Sequence, residues 1–315
     1  MIKILYAASN NLNSKIQLSR FLHNVNNVNI KIAAYKNYFP KNTNVDFTLD
    51  CLLGFNNKKN INNSYLKIYY DKIKKFSPDL IISDLEYFTS KLARELNIPI
   101  WQCSSNLLDY GIDCHKKYSF GISSKYKSFL EKTSNDSNFE SILGSDKKFV
   151  YSHLCDNFIK PELKPDFSWV RPYFVIGNES ITCKKNIVAA TIGINKKIIS
   201  LLNNHNDSVL FSDNDFYFPS LTLKSLDNED EFACNLYNCN TFVCQGESSF
   251  LSDAFYNNKF SVVLPNLFDN NCIINSLISK KFKTSDIIYN VESSFEVKKI
   301  NIKYNDECKF LHELI

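Results

Sequence analysis

The feature that most constrains the fold is a regular alternation of short apolar segments with longer helical patterns along both halves of the chain. Short runs rich in Ile, Val and Leu predict buried strands, and apolar residues spaced three or four apart predict amphipathic helices. Such alternation is typical of a parallel sheet covered by helices. In the first half the predicted strands are 3–8, 29–35, 80–84 and 98–103, and the predicted helices are 14–25, 65–76 and 87–96.

The alternation is interrupted near the middle of the chain and then resumes. Pro161, Pro165 and Pro172 place three prolines within twelve residues, which indicates a crossover between domains. We therefore expect two doubly wound, Rossmann-like α/β domains, 1–170 and 171–315, with a cleft between them. Beyond the crossover the predicted strands are 186–190, 208–212, 221–226, 241–244 and 261–264, and the predicted helices are 195–203, 230–237, 249–256 and 272–280.

The sequence gives no sign of a membrane or secretory segment. None of its uninterrupted apolar runs exceeds six residues, whereas a membrane span needs about 18–20. The apolar residues 4–8 are also fewer than a secretory signal requires, and no small-residue cleavage site follows them. We therefore expect no integral membrane association and a location in the cytoplasm.

Glycine and cysteine usage argues against several other classes of protein. Only seven glycines are present, and none has the G-x-G-x-x-G or G-x-x-x-x-G-K-[ST] spacing that surrounds a dinucleotide or ATP with backbone amides. The ten cysteines are scattered along a long chain, so most are expected to be buried, reduced thiols. Cys234, Cys239 and Cys244 recur every five residues, which fits no zinc site, and we predict no bound metal.

The most informative local pattern surrounds Gly246. An apolar strand runs into this glycine, and Ser248 and Ser249 then open a predicted helix. Amides at a helix start lack intrahelical partners and lie at the positive end of the helix dipole, so they form an anion site. Asp253, about one turn further on, is able to accept paired hydrogen bonds from a ribose diol. The alternative interpretation is a capped helix with one exposed acidic residue.

Residues 237–275 resemble the nucleotide-binding half of GT-B glycosyltransferases, especially the UDP-dependent glycosyltransferases and the undecaprenyl-linked N-acetylglucosaminyl transferase of peptidoglycan synthesis. The resemblance is carried by Gly246, Ser248, Ser249, Asp253, the strand 262–265, Asp269, Asn270 and Asn275. It implies a glycosyltransferase with a UDP-sugar as co-substrate, and it places Asp269 and Asn270 near the hydroxyls of the donor sugar. Glu247 departs from the family pattern, which has a small residue, Gly or His at this position.

Two further positions are predicted to meet the donor. Gly193 ends the strand that opens the second domain, so it lies with Gly246 at the carboxyl edge of one parallel sheet, where ligands bind in open α/β folds. Arg171 is placed to contact a diphosphate, although a salt bridge in the linker is the other interpretation. The only D-x-D spacing, Asp213 with Asp215, falls in a predicted loop, so we expect no essential metal and no tightly bound cofactor.

In enzymes of this kind the first domain holds the acceptor, and an inverting transfer needs a base on the acceptor hydroxyl. The candidates are carboxylates that follow first-domain strands. Asp84 and Glu86 come directly after one strand, and Asp109 follows the next. We favour Asp84 as the base. The other interpretation is that Asp84 caps the helix that begins near Tyr87.

Charge is distributed unevenly between the two halves. Residues 1–177 carry 24 Lys and Arg against 16 Asp and Glu, whereas residues 178–315 carry 13 against 17. A basic acceptor domain, in a chain whose Asn, Lys and Ile content suggests an AT-rich genome, favours hydroxymethylated pyrimidines of double-stranded bacteriophage DNA as the acceptor, within the host cytoplasm. Scattered, solvated lysines are the simpler explanation of the charge. The alternative functions are transfer to a lipid-linked or small-molecule acceptor, nucleotide-sugar 2-epimerisation, and non-catalytic nucleotide binding.

Overall fold

The computed structural model describes residues 1–9, 12–35, 45–49, 63–112, 141–156, 162–180, 185–213, 218–266, 269–288 and 308–315. Within these ranges the chain forms two parallel β-sheets with helices packed against them. This arrangement confirms the predicted α/β class and its two Rossmann-like units.

The first sheet has seven parallel strands in the order β3-β2-β1-β4-β5-β6-β7. Alternate side chains of β1 point to opposite faces, so Ile4 and Tyr6 enter one apolar cluster and Leu5 and Ala7 enter another. The strands are β1 (Ile2–Ala7), β2 (Val28–Tyr35), β3 (Phe47–Leu49), β4 (Leu80–Ser83), β5 (Ile100–Ser104), β6 (Lys147–Tyr151) and β7 (Phe167–Val170). The helices are α1 (Leu12–Asn24), α2 (Asn63–Phe76), α3 (Tyr87–Leu96) and α4 (Leu107–Gly111), with a 3₁₀ turn at His153–Asp156.

The second sheet has six parallel strands in the order β10-β9-β8-β11-β12-β13. Its central strands consist almost entirely of buried residues, as expected for a sheet covered on both faces. The strands are β8 (Ile187–Thr191), β9 (Ser208–Ser212), β10 (Thr222–Ser225), β11 (Thr241–Cys244), β12 (Ser261–Val263) and β13 (Ser285–Ile287). The helices are α5 (Lys196–Asn203), α6 (Glu229–Asn238), α7 (Ser248–Tyr256) and α8 (Asn270–Lys281).

The prediction of a proline-rich crossover was wrong for the residues just before Arg171. Strands β6 and β7 extend the first sheet at one edge, so these residues belong to that sheet. The sequence obscures them because Lys147 and Lys148 open β6, and because prolines are tolerated beside an edge strand such as β7. The first sheet ends at Val170, and the second begins at Ile187.

The C-terminal residues return to the first sheet. Phe310 forms an isolated bridge with Arg171, and the Arg171 amide donates to the Lys309 carbonyl at 2.9 Å. Leu311 is fully buried in the apolar cluster that contains Tyr6. Residues 308–315 therefore pack on the first unit, although the division drawn from the sequence assigns them to the second.

The two units also share an apolar core. Ile274 and Ile278 of α8 pack in one buried cluster with Leu107 and Leu108 of α4 and with Leu154. Because this cluster joins side chains from both units, its buried apolar surface stabilises the contact between them. None of the helices in the described ranges combines the length and the apolar character needed to cross a bilayer.

Candidate active site

Three of the residues singled out from the sequence, Asp84, Gly193 and Gly246, lie at the two points where strand order reverses. Open α/β sheets bind ligands beyond the carboxyl ends of their strands at such switch points. In the first sheet the order reverses between β1 and β4, and Asp84 follows β4 directly. In the second it reverses between β8 and β11, which lead into Gly193 and Gly246. The two carboxyl edges face each other, because Ser248 beyond β11 donates from Oγ to the carbonyl of Tyr151 at the end of β6, at 3.2 Å.

Asp84 belongs to a buried polar site at the edge of the first sheet. Its side chain is 4% exposed, and Oδ1 has no hydrogen-bond partner among the described residues. Burial raises the pKa of Asp84 to about 6, while the nearby hydroxyls of Ser104 and Ser14 lower it. The hydroxyls of Tyr6 and Tyr151 are likewise buried, and they interact with each other beside Asp84. Since buried polar atoms are normally paired, these three residues mark a place suited to a polar ligand.

The turn that carries Asp84 is fixed by its two following residues. Leu85 has φ 55°, in the left-handed region that is costly for a residue other than glycine and is often found at functional sites. Glu86 caps α3, accepting from the amides of Phe88 at 3.1 Å and Thr89 at 2.6 Å. Burial raises the pKa of Glu86, and these capping contacts oppose the rise. The capping residue is therefore Glu86, and the Asp84 carboxyl takes no part in the cap.

The remaining predicted residues are distributed around the interface. Asp109 is half-buried in the first turn of α4, five residues beyond the end of β5. Arg171 donates from Nη2 to Asp156 Oδ1 at 3.0 Å, which is a salt bridge within the first unit. Asp269 caps α8, because its Oδ1 accepts from the Asn271 amide at 2.8 Å. Asn270 begins α8, and its side chain lies outside the described part of the structure.

Both glycine turns adopt left-handed backbone conformations. Gly193 has φ 68°, and its amide donates to Asp213 Oδ1 at 2.8 Å. Gly246 has φ 97°, and a Cβ added there would lie 2.4 Å from Ser276 Oγ and 2.6 Å from the carbonyl oxygen of Cys272. Glycine is thus required at residue 246 both by the backbone conformation and by the close approach of α8.

The start of α7 is covered by helix α1 of the first unit. The Ser249 amide donates to Asn13 Oδ1 at 3.4 Å, and Gln17 Nε2 donates to Ser249 Oγ at 3.2 Å. Gln17 is itself held by Tyr173, whose amide donates to Gln17 Oε1 at 2.8 Å. Ser248 and Ser249 are both buried. An anion reaching these amides would therefore displace α1 side chains.

Asp253 lies in a buried ion pair that joins the two units. Arg20 Nη1 and Nη2 donate to its two carboxylate oxygens at 2.9 and 3.0 Å, and the Val175 amide donates to Oδ1 at 2.9 Å. Arg20 also contacts Glu229 Oε1 at 3.1 Å and the Tyr173 carbonyl at 2.9 Å. Burial raises the pKa of Asp253 to about 6, against the lowering effect of Arg20. A ribose diol would have to replace Arg20 to contact this carboxylate.

Glu247 brings a carboxyl group to the carboxyl edge of the second sheet. It is 3% exposed, and its Oε2 accepts from the Gln245 amide at 3.1 Å. Burial raises the pKa of Glu247 to about 8, and the charges of Asp269 and Asp213 add to the rise. Glu247 is therefore mostly protonated at pH 7, which limits the negative charge at this edge.

Asn13, Gln17 and Arg20 lie at the candidate site but belong to none of the motifs that the sequence offers. These residues follow the i, i+4, i+7 spacing that places side chains on one face of a helix. Leu18 and Phe21 of this helix are fully buried. The row of polar side chains on another face was the sequence signal that α1 also contacts a second surface. Arg20 is moreover one of only three arginines in the chain.

The architecture is similar to that of several solved glycosyltransferases. Spinosyn forosaminyltransferase SpnP is 12% identical, with 93% of this chain and 87% of that chain covered and a TM-score of 0.57. The calicheamicin glycosyltransferase CalG4 is 11% identical, with coverages of 91% and 85% and a TM-score of 0.57. MurG of Acinetobacter baumannii is 9% identical, with coverages of 94% and 87% and a TM-score of 0.54.

The chain has the GT-B fold. The resemblance predicted from residues 237–275 is thereby confirmed at the level of the fold, which at these identities is what the similarity establishes. No model of a known protein family matches the sequence. No curated protein matches it either.

The ion pair between Arg20 and Asp253 yields a prediction about stability. Arg20→Met leaves a buried carboxylate without its partner, so we expect a loss of about 3–5 kcal/mol in the free energy of unfolding, measured by urea denaturation at pH 7. Arg94→Met, which removes an exposed arginine from α3, is the matched control and should cost less than about 1 kcal/mol. The double variant Arg20→Met/Asp253→Leu should recover part of the loss. Equal stability of the two single variants would contradict the role of the pair.

Proposed function

We propose that this protein transfers a glycosyl group from a nucleotide-sugar donor to a hydroxyl group of an acceptor. The observation that carries the proposal is the meeting of two topological switch points, one with the buried carboxyl of Asp84 and the other with the turns at Gly193 and Gly246. Two proteins of the same fold, SpnP and CalG4, are named as a forosaminyltransferase and a glycosyltransferase. Their names support the same class of reaction for this chain.

Asp84 is the proposed base. With a pKa of about 6 it is mostly ionised at pH 7, and it is more basic than an exposed aspartate. The Tyr6 and Tyr151 hydroxyls share its buried polar site and are proposed to orient the acceptor hydroxyl. As the acceptor oxygen bonds to the anomeric carbon, its proton passes to Asp84 and the bond from that carbon to the diphosphate oxygen breaks. Glu86 is left out of this step because its carboxylate caps α3.

The donor is proposed to bind along the carboxyl edge of the second sheet. Its diphosphate lies beside Gly193 and Gly246, and its sugar lies near Asp269 and Asn270. Protonated Glu247 donates a hydrogen bond to a phosphate oxygen. Beside Asp213 and Asp269 it therefore adds no third negative charge that a divalent cation would have to offset. Uridine diphosphate is the proposed nucleotide portion, on the resemblance of residues 237–275 to UDP-dependent enzymes.

The helix start at Ser248 and Ser249 and the carboxylate of Asp253 enter the proposal as parts of an opened state. In the arrangement described here all three are held by the first unit, Asp253 through Arg20. We propose that donor entry separates α1 from α7 and that the nucleotide then takes over these contacts. Donor binding and the position of the two units are thereby coupled.

The position of the lysines of the first unit bears on the kind of acceptor. The described lysines at strand starts and helix ends of the first unit, such as Lys3, Lys74 and Lys147, lie at the amino edge of its sheet, opposite Asp84. We propose a small or lipid-linked hydroxyl acceptor, and keep hydroxymethylated DNA as the outcome that a binding test would reveal.

Substitution of Asp84 tests the proposed base. Asp84→Asn should lower turnover, followed as nucleoside diphosphate release from a panel of nucleotide sugars and acceptors, by about 10²-fold or more. The exposed Asp71→Asn on α2 is the control. Unchanged turnover in Asp84→Asn would remove Asp84 from the mechanism. Failure of every nucleoside diphosphate to bind in calorimetry would contradict the glycosyltransferase proposal itself, and free epimerised sugar as the product would favour an epimerase.

The same variant should be more stable than the native protein. Because the folded-state pKa of Asp84 is raised to about 6 from its ordinary 3.8, its contribution to stability is present at low pH and is lost as pH rises toward 6. Asp84→Asn should therefore match the native protein near pH 4 and exceed it by about 3 kcal/mol at pH 7 in urea denaturation. A destabilised variant at pH 7 would show that the contacts of the ionised carboxylate outweigh the cost of burying it.

Glu247 makes donor affinity depend on pH. Ionisation through its pKa of about 8 places a charge beside the diphosphate, so Kd for uridine diphosphate, measured by calorimetry with EDTA present, should rise about tenfold by pH 9. Glu247→Gln should bind with little change across this range, because it keeps the polar contact and removes the charge. Glu95→Gln on α3 is the exposed control. The same pH profile in Glu247→Gln and the native protein would rule out this role.

The salt dependence of DNA binding tests the acceptor, because residues 1–177 are basic. If duplex DNA is the acceptor, its affinity should fall about 10³-fold or more between 50 and 200 mM salt, because counterions are released as phosphates are neutralised. For a small or lipid-linked acceptor we expect weak DNA binding at every salt concentration, measured by fluorescence anisotropy. Tight, steeply salt-dependent binding would overturn the small-acceptor proposal and leave the donor assignment intact.

A further inference from the structure

Three side chains with metal-ligating atoms meet at the seam between the 3₁₀ turn after β6 and the returning C-terminal residues. Cys155 and Asp156 end the turn, and Cys308 begins the C-terminal segment that packs on the first sheet. The two sulfur atoms and a carboxylate oxygen all lie within 4.8 Å of one another, and all three residues are buried. Cys308 and Cys155 are 153 positions apart, so no local spacing in the sequence indicates this cluster.

We propose that Cys155, Asp156 and Cys308 bind a zinc ion. Two thiolates with one carboxylate form a ligand set that suits Zn²⁺, whereas Mg²⁺ and Ca²⁺ prefer oxygen ligands alone. Zinc holds thiolate sulfur at about 2.3 Å and carboxylate oxygen at about 2.1 Å, so the ligand atoms need to move together by only about 1 Å. Binding displaces the two thiol protons to solvent and involves no change of oxidation state. Water completes the coordination.

Arg171 supplies the charge that such a site needs. Two thiolates, one carboxylate and Zn²⁺ leave a net charge of about −1, which is costly to bury unless it is paired. Arg171 Nη2 donates to Asp156 Oδ1 at 3.0 Å, and the guanidinium lies 5.3 Å from the centre of the Phe310 ring. It therefore fixes the orientation of the carboxylate and neutralises the site, as residues that contact metal ligands commonly do.

The cluster lies where a metal would add the most to the fold. The C-terminal residues are joined to the first sheet by the bridge between Phe310 and Arg171 and by the 3.0 Å contact of Tyr173 with His312. A zinc ion shared by Cys308 and the 3₁₀ turn would tie this segment to β6 at a third point. A disulfide would join the same two cysteines without involving the carboxylate of Asp156, which pairs with Arg171 in either case.

The test uses the full chain purified under reducing conditions. We expect about one zinc per chain by elemental analysis after dialysis against trace zinc, and a higher melting temperature with zinc than with a chelator. Replacement by Co²⁺ should give the thiolate-to-metal charge-transfer absorption of a cysteine-ligated site. Cys155→Ser and Cys308→Ser should each abolish these signals, whereas Cys239→Ser, a buried cysteine of the second unit, should retain them.

A milder variant keeps the test decisive if the cysteine variants fold poorly. Arg171→Met leaves all three ligands in place and should weaken zinc affinity by about 10- to 100-fold. Zinc content near zero in the native chain, or content that survives Cys308→Ser, would overturn the proposal. A bond between Cys155 and Cys308, detected by mass spectrometry of alkylated chain kept under air, would also overturn it in favour of a disulfide.

Discussion

The arrangement of the whole molecule depends on one buried side chain, Arg20. From helix α1 it reaches both oxygens of Asp253 on α7, the carboxylate of Glu229 at the start of α6, and the backbone of Tyr173 between the units. A buried arginine is stable only when such partners compensate its charge. Because they come from different parts of the chain, Arg20 determines how α1 lies on α7, and this in turn determines what has access to the start of α7.

The same contacts separate the two sides of the candidate site. On the acceptor side, the Asp84 carboxyl is buried but is not consumed by capping, since Glu86 performs that function. On the donor side, the amides at the start of α7 are covered by α1, and the buried Glu247 lies at the end of β11, where it accepts from the Gln245 amide. In the proposed reaction the base thus stays in place, and the amides proposed to bind phosphate become accessible only when the units move apart.

Local patterns predicted most of the fold and the location of the site. Short apolar runs located β1, β4, β8 and β11, and these four strands create both switch points, so Asp84, Gly193 and Gly246 were found at strand ends without any tertiary information. What the sequence could not show were contacts between distant residues. The pair of Arg20 with Asp253 spans 233 positions, and an acid that looks exposed in a local helical pattern is buried by a helix from the other unit. Strand β6 and the edge strand β7 were missed because lysines open β6 and prolines lie beside β7.

Three buried carboxyl groups at the interface impose a direction on its response to pH. The folded-state pKa values of Asp84 and Asp253 are raised to about 6, and that of Glu247 to about 8, in each case mainly by burial. Each group therefore contributes stability to the folded state that is fully present below its unfolded pKa and is lost as pH rises through the folded value. Near neutrality the two aspartates have already ionised while Glu247 has not. Arg20 then pairs with an ionised Asp253, which favours the closed interface, and the neutral Glu247 that favours a diphosphate is preserved, so a pH near 7 suits both the buried ion pair and the proposed donor site.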